Sequence, residues 1–553
     1  MRLPDNISGR GSWLIVLTLV ALCAALYLKT LFYGITNVDD EVMITGNLPF
    51  LRNIANVTKV FTTDAFYLHR EIDLYRPLQS LTYIIDAQWG DDTVFFAHLT
   101  NVVLHIVTCL TVYRLLLRLE FRRDLAAAGA LVYAAHYLFM TAVAWIPARG
   151  DLLLALGSFL ALLTLIDSLD RPDWKPLLLH LLCFTLALFA KESGVVLPLL
   201  FAIYVWSHGR MGLLGRRHLL LPVYYLAAGG AYWLLKGMAV ADSAYERGVT
   251  PFLKNLHHLP EMVAKFYLPL NMSTLPAYSL AATLTGTVVI AALAASYGLF
   301  PRLRQRRPLF YGAWFLLFML PGMTYYPNFY SFSNEHVDHR SYLICFGLLL
   351  LNLHIVQCFD LDRGRYFKPL LTVLLCYLAV FNVVLSRSYR NPETFALQAI
   401  RMHSNSALAY ANYGAAKFQQ GDELEALRYL NQSLRIVHKF MPALHYRARI
   451  FVNRGMYRQA LADLDAIFSV DPAYDATDYL LRGGVKAELR DYEGAERDLL
   501  AGLQLDPQLT EARVTLGRLR QGQGRTSEAC ADWRAAAAGG SSAAGDYLGR
   551  YCR

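Results

Sequence analysis

Three features of the sequence predict an all-α chain in two parts, a polytopic membrane helix bundle followed by a solvated α-solenoid. Of the 553 residues, 55% are hydrophobic and only 17% charged, against roughly 25% charged in soluble proteins. The apolar residues form long runs between residue 1 and about 390, whereas residues 405–553 read as polar, alternating helices without the stretch of about 20 apolar residues that crosses a bilayer. The second part also repeats small residues at a spacing of about 34 or 35 positions.

At about 20 residues per span, helices are expected near 12–33, 95–118, 125–147, 150–168, 176–190, 193–207, 219–240, 276–300, 308–324, 339–358 and 368–387, about eleven in all. The first run follows Arg2 and Arg10, lacks a small-residue cleavage site and reads as a retained signal anchor. The arginines then sort the loops. Arg118, Arg122 and Arg123, then Arg210, Arg216 and Arg217, then Arg302, Arg304, Arg306 and Arg307, then Arg363, Arg365 and Lys368 fall on one side, cytoplasmic by the positive-inside rule. The net charge of +9 is thereby a matter of topology and implies no nucleic-acid partner. The other side receives a first loop at about 34–94, a second around Pro251–Leu275 and the stretch Tyr325–Asp338. Merging either close pair, at 125–168 or 176–207, would put the four-arginine loop outside, so the odd count stands and the C-terminal part is expected outside as well.

After a linker at 391–404, small residues recur in register: Gly414, Gly421 and Ala426, then Ala448, Gly455 and Ala460, then Gly483 and Ala495, then Gly517, Gly524 and Ala529. Pro472 and Pro507 close two of the units. This is the tetratricopeptide-repeat (TPR) period of helix, turn, helix, and a generic helical bundle would not keep small residues in step. About four repeats in 405–553 would stack into a superhelix with a groove for a partner protein. A closing helix at Ala543–Tyr551 would cap the last repeat. Six of the eight cysteines lie in or beside apolar segments and read as core hydrophobes. Cys530 and Cys552 stand apart, and in an oxidising compartment a bridge between them would close a loop of about 22 residues worth roughly 3 kcal/mol.

Charge that is not in an arginine loop collects on the outer side: Asp39, Asp40 and Glu41, then Arg76, Arg149 and Asp151, Lys191 and Glu192, and Glu335, His336, Asp338, His339 and Arg340. Each group alone has a bland reading, a solvated loop for the acidic run, a helix-end ion pair for Lys191 with Glu192, a snorkelling side chain for Arg340. Five segments delivering charge to one face of a helix bundle describe a site. The paired carboxylates leave a divalent cation open.

The runs Asn37-Val-Asp39-Asp40-Glu41, Leu74-Tyr75-Arg76-Pro77-Leu78, His98-Leu-Thr-Asn101-Val-Val-Leu104-His105, Arg149-Gly-Asp151, Lys191-Glu192-Ser193 and His339-Arg340-Ser-Tyr342-Leu343 resemble, in that order, motifs of the transmembrane and TPR-repeat O-mannosyltransferases and their bacterial relatives, within the class C (GT-C) glycosyltransferases. The resemblance covers nearly the whole chain. It departs in a shorter tail and in the Ser-Asn-Glu-His-Val-Asp-His-Arg stretch, where only the final His-Arg-x-Tyr-Leu matches.

The resemblance implies a GT-C-like transmembrane domain at 1–390. It also implies transfer of mannose or another hexose from a polyprenyl-phosphate donor to a protein or glycan acceptor at the non-cytoplasmic face of the bilayer. An acidic residue of the first outer loop would then take the acceptor's proton; Asp39 and Asp40 sit there, and Asp40 is preferred because it lies a residue deeper and is followed by Glu41. The leaving phosphate needs positive charge in a site poor in water. Arg340, with its two-bond geometry, comes first, then Lys191 and Arg149, with Glu41, Arg76, Asp151, Glu192, His339 and Tyr342 in support. The compact chain points to a bacterial inner membrane, with the site and the TPR part periplasmic. Two other classes remain: an O-antigen ligase or polymerase, whose largest outer loop comes late rather than first, and a membrane-anchored TPR scaffold, which needs one span rather than eleven.

Overall fold

The computed structural model describes residues 10–67, 74–240, 245–327, 338–403, 405–472 and 474–552. The chain divides into two units, Met1–His403 and Ser404–Arg553.

In the first unit every predicted span falls on helix, but not every helix is long enough to cross a membrane. Six are: Ser12–Phe32, Thr93–Arg118, Ile146–Asp170, Arg216–Ala239, Leu280–Leu299 and Phe367–Tyr389. Two bent pairs, Arg123–Ala135 with Tyr137–Ala144 (48°) and Asp338–Ile344 with Phe346–Cys358 (46°), bring the number to eight if each is one span. The expected count of about eleven is therefore not reached by length and apolarity among the described residues. The 16-residue helix Lys175–Ala190 rises about 24 Å, short of a hydrocarbon core of about 30 Å, and the extended backbone of Lys191 separates it from Glu192–Val196. The Ile146–Asp170 helix is the centre of the bundle, 72% of its most apolar stretch being buried, against 11% for Leu280–Leu299. The latter offers its apolar surface to lipid.

The two ends of the bundle differ. At one end the arginine loops interlock: Arg118 pairs with Asp167 (2.6 Å) and Asp170 (2.8 Å), Arg210 with Asp170 (2.7 Å) and Glu120 (3.5 Å), Arg122 with Asp360 (2.5 Å) and Asp362, and Arg307 with Glu120. Segments predicted to share a side therefore meet. At the other end, the first loop folds into a cap of short helices, including Asp39–Met43, Leu48–Arg52 and Pro77–Asp86. Met43, Ile44, Leu51, Val60, Tyr83 and Ile84 form a small core of their own with Ile146.

One expectation changes. Residues 391–403 do not behave as a linker: Asn391 caps the helix Pro392–Met402, which buries Phe395, Ala396 and Ala399 in the first unit, and the Phe395 carbonyl accepts from Thr274 Oγ1 (2.7 Å). The all-α architecture stands, with one small addition among the described residues, a two-stranded antiparallel ribbon of 245–247 and 325–327.

The second unit is a stack of four helix pairs: Ala407–Gln419 with Glu423–Ile436, Met441–Asn453 with Tyr457–Val470, Ala476–Glu488 with Tyr492–Leu505, and Thr510–Gly522 with Thr526–Ala538. Small residues stand where paired helices cross. A Cβ on Gly414 would lie 2.8 Å from Leu430, one on Gly483 2.9 Å from Leu499, and one on Gly517 against the Trp533 indole. The helix Ser542–Tyr551 closes the stack, with Tyr547 on the Trp533 ring (5.0 Å). Cys530 and Cys552 are disulfide-bonded, their Cα atoms 5.7 Å apart, which ties this last helix down.

Candidate functional site

The Ile146–Asp170 helix starts at the capped end of the bundle, and the first turn of its α-helical part, Arg149–Asp170, carries both Arg149 and Asp151. Asp151 is buried and accepts from Lys191 Nζ (2.7 Å), with His339 Nε2 at 3.4 Å from the same oxygen. Lys191 occupies the break between two short apolar helices, where an extended residue turns its side chain inward. Glu192, next in sequence, takes Arg76 through two bonds, Nε to Oε2 (3.3 Å) and Nη2 to Oε1 (3.2 Å). The charge of Arg340 also acts on Lys191. The Arg340 guanidinium lies on the backbone of Gly322, where a Cβ would approach Nη1 to 2.6 Å. Three cations, Arg76, Lys191 and Arg340, thus share one neighbourhood with two carboxylates, Asp151 and Glu192.

This cluster is wired to the first loop. The His339 ring packs on the Trp145 indole (5.2 Å), Trp145 Nε1 donates to Thr36 Oγ1 (3.1 Å), and Thr36 donates to Asp40 Oδ2 through N (2.6 Å) and Oγ1 (2.9 Å). Val38 N donates to Asp40 Oδ1 (3.2 Å). Asp40 is 1% exposed. Burial pushes its carboxyl above the ordinary carboxylate value, opposed by the bonds from Thr36 and Val38. Asp39 is half-buried beside it. Glu41 is half-buried too, its carbonyl accepting from Thr45 (3.2 Å). Because both oxygens of Asp40 already accept hydrogen bonds, the Asp39–Asp40 pair does not present two open carboxylates to a cation.

Several expected site residues are placed elsewhere. Arg149 is fully buried, paired with Asp86 (2.5 Å), and it donates to Asn101 Oδ1 (2.8 Å), Thr82 Oγ1 (3.1 Å) and the Ala97 carbonyl (2.7 Å) over the face of Tyr83. With four of its five donors directed at these groups, the buried guanidinium cannot offer a phosphate its two-bond fork. Tyr342 is in the core, its hydroxyl 2.8 Å from His105 Nδ1 and its carbonyl accepting from Tyr133 (2.8 Å). Asp338 pairs with Lys265 (2.6 Å). Glu335, His336 and Arg2 lie outside the described residues. Asp86, Thr36, Trp145 and Lys265 were not singled out by sequence, and a lone residue carries no sign of its distant partner.

The motif runs therefore meet two by two: Arg76 with Glu192, Asp151 with Lys191, Asn101 with Arg149, His105 with Tyr342. Residues 82–233 match the family model described as dolichyl-phosphate-mannose-protein mannosyltransferase. Protein O-mannosyl-transferase Tmtc1 of Drosophila melanogaster is 31% identical over 188 residues, 32% of this chain and 21% of that protein. Protein O-mannosyl-transferase TMTC1 of Homo sapiens is 34% identical over 174 residues, 29% of this chain and 20% of that protein. The chain resembles the TPR-containing protein O-mannosyl-transferases. It spans about a fifth of the length of these two relatives. The family-model match takes in Arg149, Asp151, Lys191 and Glu192 but neither the Asp39–Asp40 loop nor Arg340. Among solved structures, MamA 41-end from Desulfovibrio magneticus RS-1 is similar at 19% identity and a TM-score of 0.25, covering 26% of this chain and 81% of that one. YrrB, a TPR protein with an unusual peptide-binding site, is similar at 19% and 0.25, covering 26% and 74%.

Proposed function

We propose that the chain is a membrane glycosyltransferase of the O-mannosyltransferase type, moving a hexose from a polyprenyl-phosphate donor to a protein or glycan acceptor at the non-cytoplasmic face. The observation that carries this is the convergence of Arg76, Asp151, Lys191, Glu192, His339 and Arg340 at the capped end of the bundle, linked through Trp145 and Thr36 to the acidic loop. The transferred sugar leaves a phosphate whose growing charge a preorganised cation stabilises best where water is scarce. Arg340 fills that role by two-bond contact with phosphate oxygens, and Lys191, held by Asp151, adds a fixed positive charge. Arg149 has no part in it beyond holding the cap to the bundle. The acceptor hydroxyl loses its proton to Asp39 as it attacks the anomeric carbon, while Asp40, its oxygens held by Thr36 and Val38, shapes the loop. The disulfide in the TPR unit accords with an oxidising compartment, hence with a periplasmic location in a bacterial inner membrane. The TPR groove would engage the acceptor or a partner protein.

The test is transfer by the purified full chain from a panel of radiolabelled polyprenyl-phosphate sugars. Asp39→Asn should lower turnover by roughly 10²–10⁴-fold with unchanged melting. Asp40→Asn should lower the melting temperature as well. If both variants transfer like the wild type, the reading is wrong; loss confined to Asp40→Asn would exchange the two roles.

A further inference from the structure

The second outer loop contains a cluster that the proposed reaction does not use. His257 and His258 open the helix His258–Tyr267, and Glu261 follows one turn later. The ligand atoms of the three lie within 4.8 Å of one another. Two other groups of possible metal ligands meet that spacing among the described residues, Cys23 with His105 and Cys109, and His445 with Asp475 and Asp478. In both, ring nitrogens are already engaged. The two nitrogens of His105 are taken by the Tyr342 hydroxyl (2.8 Å) and the Ala134 carbonyl (3.3 Å), and His445 Nδ1 is held by Asp478 (2.8 Å).

The outer-loop group is built differently. His257 Nδ1 lies 2.9 Å from the Lys254 carbonyl oxygen. A carbonyl only accepts, so Nδ1 carries the hydrogen and Nε2 keeps its lone pair. That Nε2 is buried and has no hydrogen-bond partner among the described residues. A backbone carbonyl fixing one ring nitrogen while the other faces inward is the usual outer shell of a metal-binding histidine. Glu261 is buried at 4% exposure, as is His258. The bonds that hold its carboxylate, from Ser279 N and Thr283 Oγ1 (3.0 Å each), fall on Oε1 and leave Oε2 for an ion. The scaffold is rigid as well, because Gly286 lets the Leu280–Leu299 helix approach the Pro260 carbonyl so closely that a Cβ would overlap it. Two imidazoles and one carboxylate match zinc, with bonds of about 2.0–2.2 Å and a fourth position open to water.

We infer that His257, His258 and Glu261 form a zinc(II) site that pins the start of the His258–Tyr267 helix. The far end of that helix is already fixed: Tyr137 Oη donates to the Lys265 carbonyl (2.7 Å), His136 Nε2 lies 3.0 Å from that of Phe266, and Lys265 Nζ donates to Asp338 (2.6 Å). An ion at the start of the helix therefore holds Lys265, and through it Asp338, in register. The site itself stands apart from the proposed transfer chemistry.

The full chain in detergent, stripped with chelator, is titrated with zinc against a chromophoric competitor and with cobalt(II) as a spectroscopic substitute. One equivalent should bind, cobalt should give the visible bands of a four-coordinate ion, and zinc should raise the melting temperature. His257→Ala and Glu261→Gln should weaken binding by more than the 10–100-fold typical of outer-shell changes, while melting like the stripped wild type in chelator. If His257→Ala does not fold, His257→Gln serves in its place, keeping a polar side chain but losing the imidazole ligand. Equal zinc binding by the wild type and by the variant lacking all three ligands would overturn the assignment, as would a wild type that binds none.

Discussion

Both units bury pairs of a basic side chain with a carboxylate, and they use them in opposite ways. In the TPR unit the pairs recur with the repeat: Arg447 holds Asp463 through two bonds (2.8 and 2.6 Å), and Arg482 holds Asp498 likewise (2.9 and 2.7 Å), one repeat later. Arg520 reaches Asp532 (2.9 Å) in the next. A contact repeated at the period of the architecture belongs to the architecture. In the membrane unit each pair occurs once, between segments far apart in sequence, Arg76 with Glu192, Lys191 with Asp151, Arg149 with Asp86. Such pairs are costly to bury, and here several gather at one end of a bundle, where no repeat of the architecture calls for them.

That contrast can be broken first at Arg149. Arg149→Ala leaves Asp86 buried without a cation, and breaking such a pair costs about 3–5 kcal/mol. The variant should unfold or be lost on extraction in detergent, whereas Arg520→Ala, on a partly exposed pair, should be purified intact. Comparable yields of the two would mean that Arg149 is not a structural cation.

Arg340 sharpens the same contrast on the functional side. Arg340→Lys keeps the charge and loses the planar fork, so donor affinity should fall by roughly tenfold or more with melting unchanged. Arg482→Lys in the TPR unit should do the reverse. Donor binding measured by competition, alongside melting of each variant, separates them; unchanged affinity in Arg340→Lys removes this residue from the donor site.

The Cys530–Cys552 bridge should contribute about 3 kcal/mol, from closing a loop of 22 residues. Reduction, or Cys552→Ser, should lower the denaturant midpoint of the TPR unit and leave the membrane unit unmoved. Alkylation of the non-reduced protein from native membranes should leave both cysteines protected; two modified thiols would place this unit in a reducing compartment.

Acid should also act on the units unequally. Hydrogen bonds from Arg525 and Arg520 hold Glu496 below its ordinary value of 4.5. A carboxylate whose folded value is depressed stabilises the fold above its unfolded value, and the gain is lost as pH falls from 4.5 through the lower folded value. TPR stability should decline over that window by about 1 kcal/mol or less from this group. Denaturant midpoints of Glu496→Gln across the window should be flatter than wild type; identical profiles would discount the pairing.

What could be read beforehand divides along the same line. The TPR unit was legible because its constraints repeat: Gly414, Gly483 and Gly517 each stand under a large side chain of the partner helix. The membrane helices were legible as apolar runs, but the number of crossings was not, since Lys191 divides one run into pieces too short to span. The site was half legible. Arg149 and Asp151 were grouped because they are close in sequence, yet residues two apart on a helix do not face the same way. Asp151 turns to Lys191 and Arg149 to Asp86. The Asp39–Asp40 pair divides similarly, one carboxylate consumed by Thr36 and Val38. Proximity in sequence brought the right segments together and could not say which side chain of each faced inward.

The smallest effect tests how far the repeat rule reaches into the backbone. The turns inside the first, second and fourth helix pairs place Gly421, Gly455 and Gly524 in the left-handed region, at φ of 83°, 69° and 79°, and the third places Arg490 there at 67°. All four close the same way. The residue after each donates to the carbonyl five positions earlier: Asp422 to Lys417, Met456 to Phe451, Asp491 to Lys486 and Arg525 to Arg520, at 2.8–3.0 Å. This is the helix-ending motif that favours glycine. Arg490 makes the turn with a Cβ that costs about 1–2 kcal/mol there, and its side chain is exposed, so nothing is lost by removing it. Glycine gives back about 0.4–1 kcal/mol through its freer unfolded chain. Arg490→Gly should therefore stabilise the TPR unit by roughly 0.5–1 kcal/mol, read as a higher denaturant midpoint at unchanged slope. Gly455→Arg, the converse exchange one repeat earlier, should destabilise by a similar amount. If Arg490→Gly is neutral or destabilising while Gly455→Arg is costly, the third turn is not equivalent to the others, and the repeat governs helix crossings but not the turns between them.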